Sequence, residues 1–158
     1  MTTVNDLDDF GALDPFFRII EEGLGGLADG DHFFDLLADG VVFEYIITVP
    51  GYPRCVVGRS AVAELYRPYG DTFVLHRCFD LAVHHDRVSG TVVLEYASEG
   101  YVVANGAAYA NRYISVLTIV DRKVTRWRDY LDPIAVFDAI GWPPNPGGDA
   151  RSYGDGSR

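Results

Sequence analysis

Alternating apolar and polar residues dominate the second half of the chain. Four segments with this pattern, separated by turn-forming residues, cover 72–84, 88–103, 106–120 and 124–131. Alternation with a period of two sends successive side chains to opposite faces of a strand. The pattern therefore predicts a four-stranded antiparallel meander with one buried face.

The first half of the chain mixes helical and strand patterns. Apolar residues at helical spacing, bounded by capping residues and by Gly or Pro, predict helices at 15–24, 32–38 and 61–67, and a last one at 134–141. The expected N-caps are Asp14, Asp31, Ser60 and Asp132. Continuous apolar runs predict strands at 41–49 and 55–58.

This element order predicts an α+β fold. A cone-shaped, curved sheet, mixed or antiparallel, would have its concave face covered by three N-terminal helices, with a short helix at the C-terminal end. Such a cone leaves room for a ligand cavity. We expect residues 1–142 to form one domain and the Pro- and Gly-rich residues 143–158 to form a flexible tail.

Charge and composition narrow the classes of partner. The formal charge of -10 repels phosphate backbones and anionic lipid heads, so neither a nucleic-acid nor a membrane partner is expected. The first ten residues are acidic and lack the features of a signal peptide, which favours a cytoplasmic location. Cys55 and Cys78 form no CxxC pair, and we expect them to be structural.

The segment 109–132 carries the clearest chemical signal. Alternation places Trp127, Asp129 and Leu131 on one face of a strand, so a carboxylate lies between two large apolar side chains. If the preceding turn is the three-residue loop 121–123, Ser115 lies opposite Asp129. A two-residue loop would instead put Ile114 opposite Asp129.

The surroundings of Asp129 predict a shifted pKa. Desolvation by Trp127 and Leu131 would raise the pKa of the carboxyl above its usual value of ~3.9, so that it could exchange protons near neutral pH. A structural acid held by hydrogen bonds is the competing interpretation. The alternation pattern alone leaves both open.

The same segment resembles a known family. The string Tyr109-x-Asn111-x-Tyr113, a tight turn with Asp121 and Lys123, the sequence WRDYLDP over 127–133 and an apolar helix ending in Gly141 resemble the SnoaL-like superfamily. This group includes polyketide cyclases, ketosteroid isomerases, limonene epoxide hydrolases, phenazine-biosynthesis A/B proteins and nuclear transport factor two. The resemblance implies the cone fold, a single SnoaL-like domain over 1–142 and a homodimer.

The resemblance also bears on individual residues. Asp129 falls where the epoxide hydrolases keep one acid of an Asp-Arg-Asp set and where the phenazine proteins keep a pocket glutamate. The Arg-x-Asp of the hydrolases has no counterpart, because no arginine occurs between Arg87 and Arg112. The hydrolase tyrosine and asparagine would fall at Phe43 and Tyr45, which match poorly. The isomerase acids would fall near Tyr45 and Ser115, so that isomerase mechanism is not preserved.

These features lead to a set of candidate residues. Asp129 is the expected proton-transfer group, with His76 as a base beside it and Tyr45 polarising a substrate carbonyl. The expected substrate-binding residues are Tyr109, Asn111, Tyr113, Ser115, Trp127 and Leu131. No metal and no cofactor is expected, since the chain has no phosphate-binding glycine loop and no paired cluster of metal ligands.

Three functions remain open at this stage. The first is a cofactor-independent cyclase, isomerase or dehydratase that acts by general acid/base chemistry on a bulky, mostly apolar intermediate of secondary metabolism. The second is an epoxide hydrolase of the limonene-epoxide type with a rearranged acid set. The third is a non-catalytic small-molecule-binding or dimerisation module, which predicts a filled cone or a pocket without a polar cluster.

Overall fold

The computed structural model describes residues 7–142, so the tail predicted at 143–158 lies outside the described residues. Three short 3-10 helices span Leu7–Leu13, Phe33–Leu36 and Arg67–Asp71. The α-helices and strands, in chain order, are α1 (Asp14–Leu24), β1 (Leu37–Ile47), β2 (Cys55–Val57), α2 (Arg59–Tyr66), β3 (Phe73–Asp86), β4 (Thr91–Val102), β5 (Ala108–Val120), β6 (Lys123–Leu131) and α3 (Pro133–Ile140).

The strands form one curved, six-stranded sheet in the order β2-β1-β6-β5-β4-β3. The four strands from β3 to β6 make the antiparallel meander that alternation predicted. The strand β1 joins this meander in parallel to β6, and β2 pairs with β1 as the edge strand. The predicted α+β fold with a mixed sheet, N-terminal helices and a short C-terminal helix is confirmed.

Two local predictions are corrected by the structure. The helix expected at 32–38 is only the four-residue 3-10 turn Phe33–Leu36. Its cap is His32 rather than Asp31, because the His32 ring nitrogen Nδ1 accepts the Asp35 N–H at 3.3 Å. The chain then enters β1 at Leu37, which lies opposite Val124 of β6. The residues that were predicted to end the helix therefore form the start of the strand β1 instead.

Of the other three predicted N-caps, only one is confirmed. The Asp132 carboxylate accepts the Ile134 N–H at 2.9 Å, as expected for the N-cap of α3. Neither Asp14 nor Ser60 is an N-cap, since both already lie inside their helices and the residues before the helices, Leu13 and Gly58, make no side-chain cap bond.

An aromatic core fills one half of the concave face. Phe17 of α1 stacks on Phe33 with ring centroids 4.4 Å apart, and Phe43 of β1 stacks on Trp127 of β6 at 4.8 Å. Further along each strand the inward residues stop packing against the helices and line a cavity instead. On β6 this change falls between Trp127 and Asp129. None of the helices within 7–142 is long and apolar enough to cross a membrane.

The turn between β5 and β6 differs from the expected three-residue loop. Val120 pairs with Lys123, so the loop has two residues, Asp121 and Arg122, with φ of 50° and 62°. This left-handed conformation is unfavourable for non-glycine residues. Arg122 is held in it by two contacts of 2.6 Å to the Asp29 carboxylate and by a hydrogen bond to the Gly26 carbonyl oxygen.

A bulge next to this turn restores the predicted register. Thr118 lies opposite Arg126 and Ile119 opposite Val124, which leaves Thr125 as one extra residue on β6. The extra residue cancels the effect of the shorter loop on side-chain direction. Ser115 therefore lies opposite Asp129, as predicted, although by a different local structure.

Close contact between β3 and β4 requires a glycine at position 100. A Cβ atom on Gly100 would lie 2.0 Å from the Val74 carbonyl oxygen and 2.9 Å from the Leu75 Cα. We expect Gly100→Ala to lower the free energy of unfolding by about 1–3 kcal/mol, because backbone atoms must move apart. Urea denaturation measures this loss. Gly40→Ala in β1 is the control, since a Cβ there meets nothing within 4 Å, and an equal loss in both variants would contradict the steric argument.

Candidate active site

A cavity of about 510 Å³ occupies the open half of the cone. Its walls come from the inward faces of β1 and of β3 to β6, from the helices α1, α2 and α3, and from the segments next to these helices. Most lining side chains are aromatic or aliphatic, and none of the lining residues within 7–142 is Lys, Arg or His. The polar lining residues are Tyr45, Thr48, Tyr52, Tyr66, Tyr69, Asp71, Thr72, Cys78, Tyr96, Tyr109, Tyr113 and Asp129.

Asp129 is the acid at the inner end of this cavity. Its oxygen Oδ1 accepts two hydrogen bonds, from the Ser115 hydroxyl at 2.8 Å and from the Trp127 indole N–H at 3.1 Å. Both donors are completely enclosed by protein, with Ser115 0% and Trp127 1% exposed. The two hydrogen bonds therefore hold the carboxyl group in position through Oδ1.

The second oxygen of Asp129, Oδ2, is directed to the cavity. No donor from the described residues lies within hydrogen-bond distance of Oδ2. Because Oδ2 is nevertheless not a buried atom without a partner, it must retain accessible surface. The side chain lies deep below the outer surface but keeps some accessible area, because the cavity reaches it. A proton that Asp129 gains or loses must therefore move at Oδ2.

Burial raises the pKa of Asp129 from its ordinary value of 3.8 to about 6. The hydrogen bonds from Trp127 and Ser115 act in the opposite direction, because they stabilise the charged form, but they do not outweigh desolvation. A carboxyl group with this pKa is ionised at neutral pH and is more basic than an exposed aspartate. It is suited to take a proton and to give it back.

Four tyrosines surround the Asp129 carboxylate, namely Tyr45, Tyr52, Tyr66 and Tyr96. Burial raises the pKa of each phenol, to about 12 for Tyr52, and the negative charge of Asp129 adds to the effect. These hydroxyls therefore remain protonated at neutral pH. They act as hydrogen-bond donors and not as bases.

One of these tyrosines belongs to an ordered chain of hydrogen bonds. The Tyr96 hydroxyl lies 2.8 Å from the Ser115 oxygen. Ser115 has a single hydroxyl proton, which it donates to the ionised Asp129, so Tyr96 must donate to Ser115. The chain runs Tyr96 to Ser115 to Asp129 and stabilises the carboxylate from the side opposite to the cavity oxygen.

The Ser115 hydroxyl gives a test of this assignment. Ser115→Ala removes one of the two donors to Oδ1, so we expect the pKa of Asp129 to rise further, by about one unit. Carboxyl-carbon NMR titration of labelled aspartate would measure it. Ser98→Ala is the matched control, because Ser98 is also buried and bonded to a tyrosine, Tyr113 at 2.8 Å, but does not touch Asp129. An equal shift in both variants would contradict a specific role for Ser115.

Seven of the nine predicted site residues fall into two groups. Tyr45, Tyr109, Tyr113 and Leu131 line the cavity together with Asp129. Ser115 and Trp127 do not line it but hold the carboxyl group in place.

Asn111, which was predicted to bind substrate, instead forms hydrogen bonds in the interior of the protein. Its amide nitrogen donates to the Tyr109 hydroxyl and to the Asp132 carbonyl, and its oxygen accepts the backbone N–H groups of Arg112 and Asp132. Asn111 thus joins β5 to the start of α3. It is absent from the residues that line the cavity.

His76 does not approach Asp129. Leu75 faces the interior, so the next residue along β3 points to the outer side of the sheet, where the exposed His76 ring lies 5.3 Å from that of Tyr101. The expected pairing of His76 with Asp129 is therefore not formed. No histidine within 7–142 lines the cavity, which leaves Asp129 and the tyrosine hydroxyls as its titratable groups near the inner end.

Several cavity residues were missed in the sequence. Tyr96 and Cys78 lie on β4 and β3, whose inward faces depend on a sheet register that alternation alone did not give. Tyr52 and Tyr66 come from the loop after β1 and the end of α2. The high number of tyrosines was the available signal. Burial raises the pKa of the Cys78 thiol to about 12, so this thiol stays protonated.

Sequence comparison identifies relatives of the chain, although no protein-family model matches it. The uncharacterized protein YesE of Bacillus subtilis is 30% identical over 107 residues, which are 68% of this chain and 73% of YesE. An uncharacterized PhzA/B-like protein of Pseudomonas aeruginosa is 24% identical over 124 residues, 78% of this chain and 84% of that protein.

Solved structures share the fold. A "putative isomerase" from Bacillus subtilis superimposes with a TM-score of 0.67 at 26% identity, over 87% of this chain and 96% of the other. A "putative polyketide cyclase" from Pseudomonas putida superimposes with a TM-score of 0.61 at 16% identity, over 83% and 96% of the two chains. The second likeness concerns the fold alone.

Proposed function

Because the chain belongs to the SnoaL-like superfamily, the group that includes nuclear transport factor two, we propose that its cavity is the active site of a cofactor-independent isomerase or cyclase. The observation that carries this proposal is the cavity-facing oxygen Oδ2 of a buried carboxyl group whose pKa is raised to about 6. The isomerase and cyclase names of the structural relatives agree with it.

The proposed reaction begins with proton abstraction. Asp129 Oδ2 takes a proton from a carbon next to a substrate carbonyl, and the electrons of the C–H bond move into an enolate. The Tyr45 hydroxyl donates a hydrogen bond to the developing oxyanion. Tyr45 lies directly opposite Asp129 on the neighbouring strand β1, which places both groups at the same end of the cavity.

The second half of the reaction decides its outcome. In an isomerisation the enolate is conjugated with a C=C bond of the substrate, and Asp129 returns the proton to the far carbon of that bond. In a cyclisation the enolate carbon attacks a second carbonyl carbon of the same substrate, the π electrons of that C=O bond move to its oxygen, and Asp129 returns the proton to this oxygen. Protons and electrons balance within the substrate and the Asp129 carboxyl group. The aromatic walls keep water away from the enolate and fit a bulky, mostly apolar substrate.

Hydrogen exchange tests the proposal without knowledge of the natural substrate. Uncharged ketones with an enolisable C–H group are incubated with the protein in deuterated water, and deuterium incorporation is followed by NMR. We expect catalysed incorporation whose rate increases as the pH rises through about 6, because only ionised Asp129 is a base. Incorporation no faster than in buffer across such a series would contradict the proposal.

Neither alternative function gains support from the site. An epoxide hydrolase set requires an arginine with its acids, and none of the cavity-lining residues in 7–142 is an arginine. A non-catalytic small-molecule-binding or dimerisation module predicts a filled cone or a pocket without a polar cluster. The cone here contains an open cavity with an acid and several hydroxyls.

A further inference from the structure

A bulge at the end of β1 turns Thr48 toward the cavity. Tyr45 lies opposite Asp129, but Ile47 lies opposite Tyr130, so the strand gains one extra residue between them. Simple alternation from Tyr45 would put Thr48 on the outer face. Instead Ile46 and Ile47 are exposed, and Thr48 is 8% exposed and lines the cavity. Bulges occur next to active sites where they redirect a side chain.

The hydroxyls of Tyr45 and Thr48 are both buried and both without a hydrogen-bond partner among the described residues. Tyr45 is 3% exposed, and the Tyr52 and Tyr66 hydroxyls approach it closely enough for hydrogen-bonding interactions to shift the pKa values of these phenols, but neither forms a hydrogen bond of normal geometry with it. Buried polar groups in native proteins are nearly always paired, and the exceptions call for an explanation. Both exceptions here lie in the wall of one cavity, which Asp129 also lines.

The charges around the cavity limit what these hydroxyls can bind. The acids Asp129 and Asp71 line it, and no Lys, Arg or His within 7–142 does, so a carboxylate or phosphate group would meet repulsion without a counterion. The two hydroxyls supply donors that an uncharged acceptor can use. Since both line the cavity and the remaining wall is largely aromatic or aliphatic, the acceptor must be carried on an apolar body.

We propose that the Tyr45 and Thr48 hydroxyls bind the carbonyl oxygen of an uncharged ketone whose ring-containing body fills the rest of the cavity. This inference rests on the proposed function in one respect, namely that the carbonyl makes the neighbouring C–H group acidic enough for Asp129. Binding itself does not require Asp129 to react. Thr48 is then a substrate-positioning residue that neither the sequence pattern nor the relatives indicated.

A matched series of naphthalene compounds tests the proposal. The probes are 2-acetylnaphthalene, which is an uncharged ketone, 2-ethylnaphthalene, which lacks the oxygen, 2-naphthoate, which is an anion, and 2-naphthylmethylammonium, which is a cation. Calorimetric titration gives their affinities for the native protein, Thr48→Val, Thr48→Ser and Tyr45→Phe. Infrared spectroscopy of the ketone with a ¹³C-labelled carbonyl reports the hydrogen bonds to its oxygen directly.

We expect the ketone to bind more tightly than the other three probes. Thr48→Val and Tyr45→Phe should each weaken ketone binding by about two- to tenfold and raise the carbonyl stretching frequency of the bound ketone. Thr48→Ser, which keeps the hydroxyl, should behave like the native protein. The ligand-free Thr48→Val protein should be as stable as the native protein, because the hydroxyl it loses has no partner.

Three results would overturn the proposal. They are equal affinity for the ketone and the hydrocarbon, tightest binding of the anion or the cation, and an unchanged carbonyl frequency in Thr48→Val. The same titrations in Asp129→Asn separate this proposal from the proposed function. A ketone that binds with a shifted carbonyl frequency but is not deuterated by the native protein would support the binding site and contradict the proton transfer.

Discussion

Asp129→Asn should lower the rate of deuterium incorporation into a bound ketone by about 10²- to 10⁴-fold, the usual contribution of a positioned general base. Asparagine has the shape of aspartate, and its side-chain oxygen can accept the hydrogen bonds that Ser115 and Trp127 now donate to Oδ1. Its amide group then occupies the position of Oδ2. It cannot take up a proton at neutral pH, so the loss isolates proton transfer from packing.

Ligand affinity distinguishes this effect from a general loss of the site. We expect the affinity for an uncharged ketone to change by less than about threefold in Asp129→Asn, because the cavity keeps its shape and the Tyr45 hydroxyl stays in place. Glu44→Gln is the matched control. Glu44 lies next to Tyr45 on β1 but on the outer face of the sheet, where it pairs with Arg126 at 2.6 Å. Full exchange activity in Asp129→Asn would refute a role of Asp129 as the base.

The sequence predicted the sheet and the environment of Asp129 because both depend on alternation. Residues flanking Asp129 at a spacing of two must share its face in a regular strand, and Trp127 and Leu131 do so. The prediction of Ser115 opposite Asp129 is confirmed, but its assumed three-residue loop is wrong. The two-residue turn and the bulge at Thr125 each reverse the side-chain direction, and the two reversals cancel.

Bulges also explain what could not be predicted. The bulge after Tyr45 brings Thr48 into the cavity, and a bulge in β3 between Leu75 and Arg77 brings Cys78 into it. A single inserted residue changes the face of every residue that follows, yet it leaves no clear pattern of its own in the sequence. Alternation therefore predicts the face on which a side chain lies only up to the first bulge in each strand.

The pKa of Asp129 also sets a pH dependence of stability. In the unfolded chain this carboxyl group titrates near 3.8, whereas in the folded protein burial raises its pKa to about 6. The folded state thus holds the proton more tightly than the unfolded state. The contribution of Asp129 to stability is greatest below about pH 4, falls as the pH rises from about 4 to 6, and is then lower by about 3 kcal/mol at higher pH.

Asp129→Asn should remove this loss, because asparagine is uncharged at every pH. We expect the variant to be about as stable as the native protein near pH 4 and more stable by up to about 3 kcal/mol at pH 8, with most of the change between pH 4 and 6. Urea denaturation of both proteins over this range measures the difference, in which the titration of all other groups cancels. A stability difference that does not vary with pH would contradict this prediction, because it would show that the Asp129 carboxyl group has the same pKa in the folded and unfolded states. The substitution that abolishes proton transfer is therefore expected to stabilise the fold, since an ionised acid kept in an apolar cavity serves the reaction at the expense of stability.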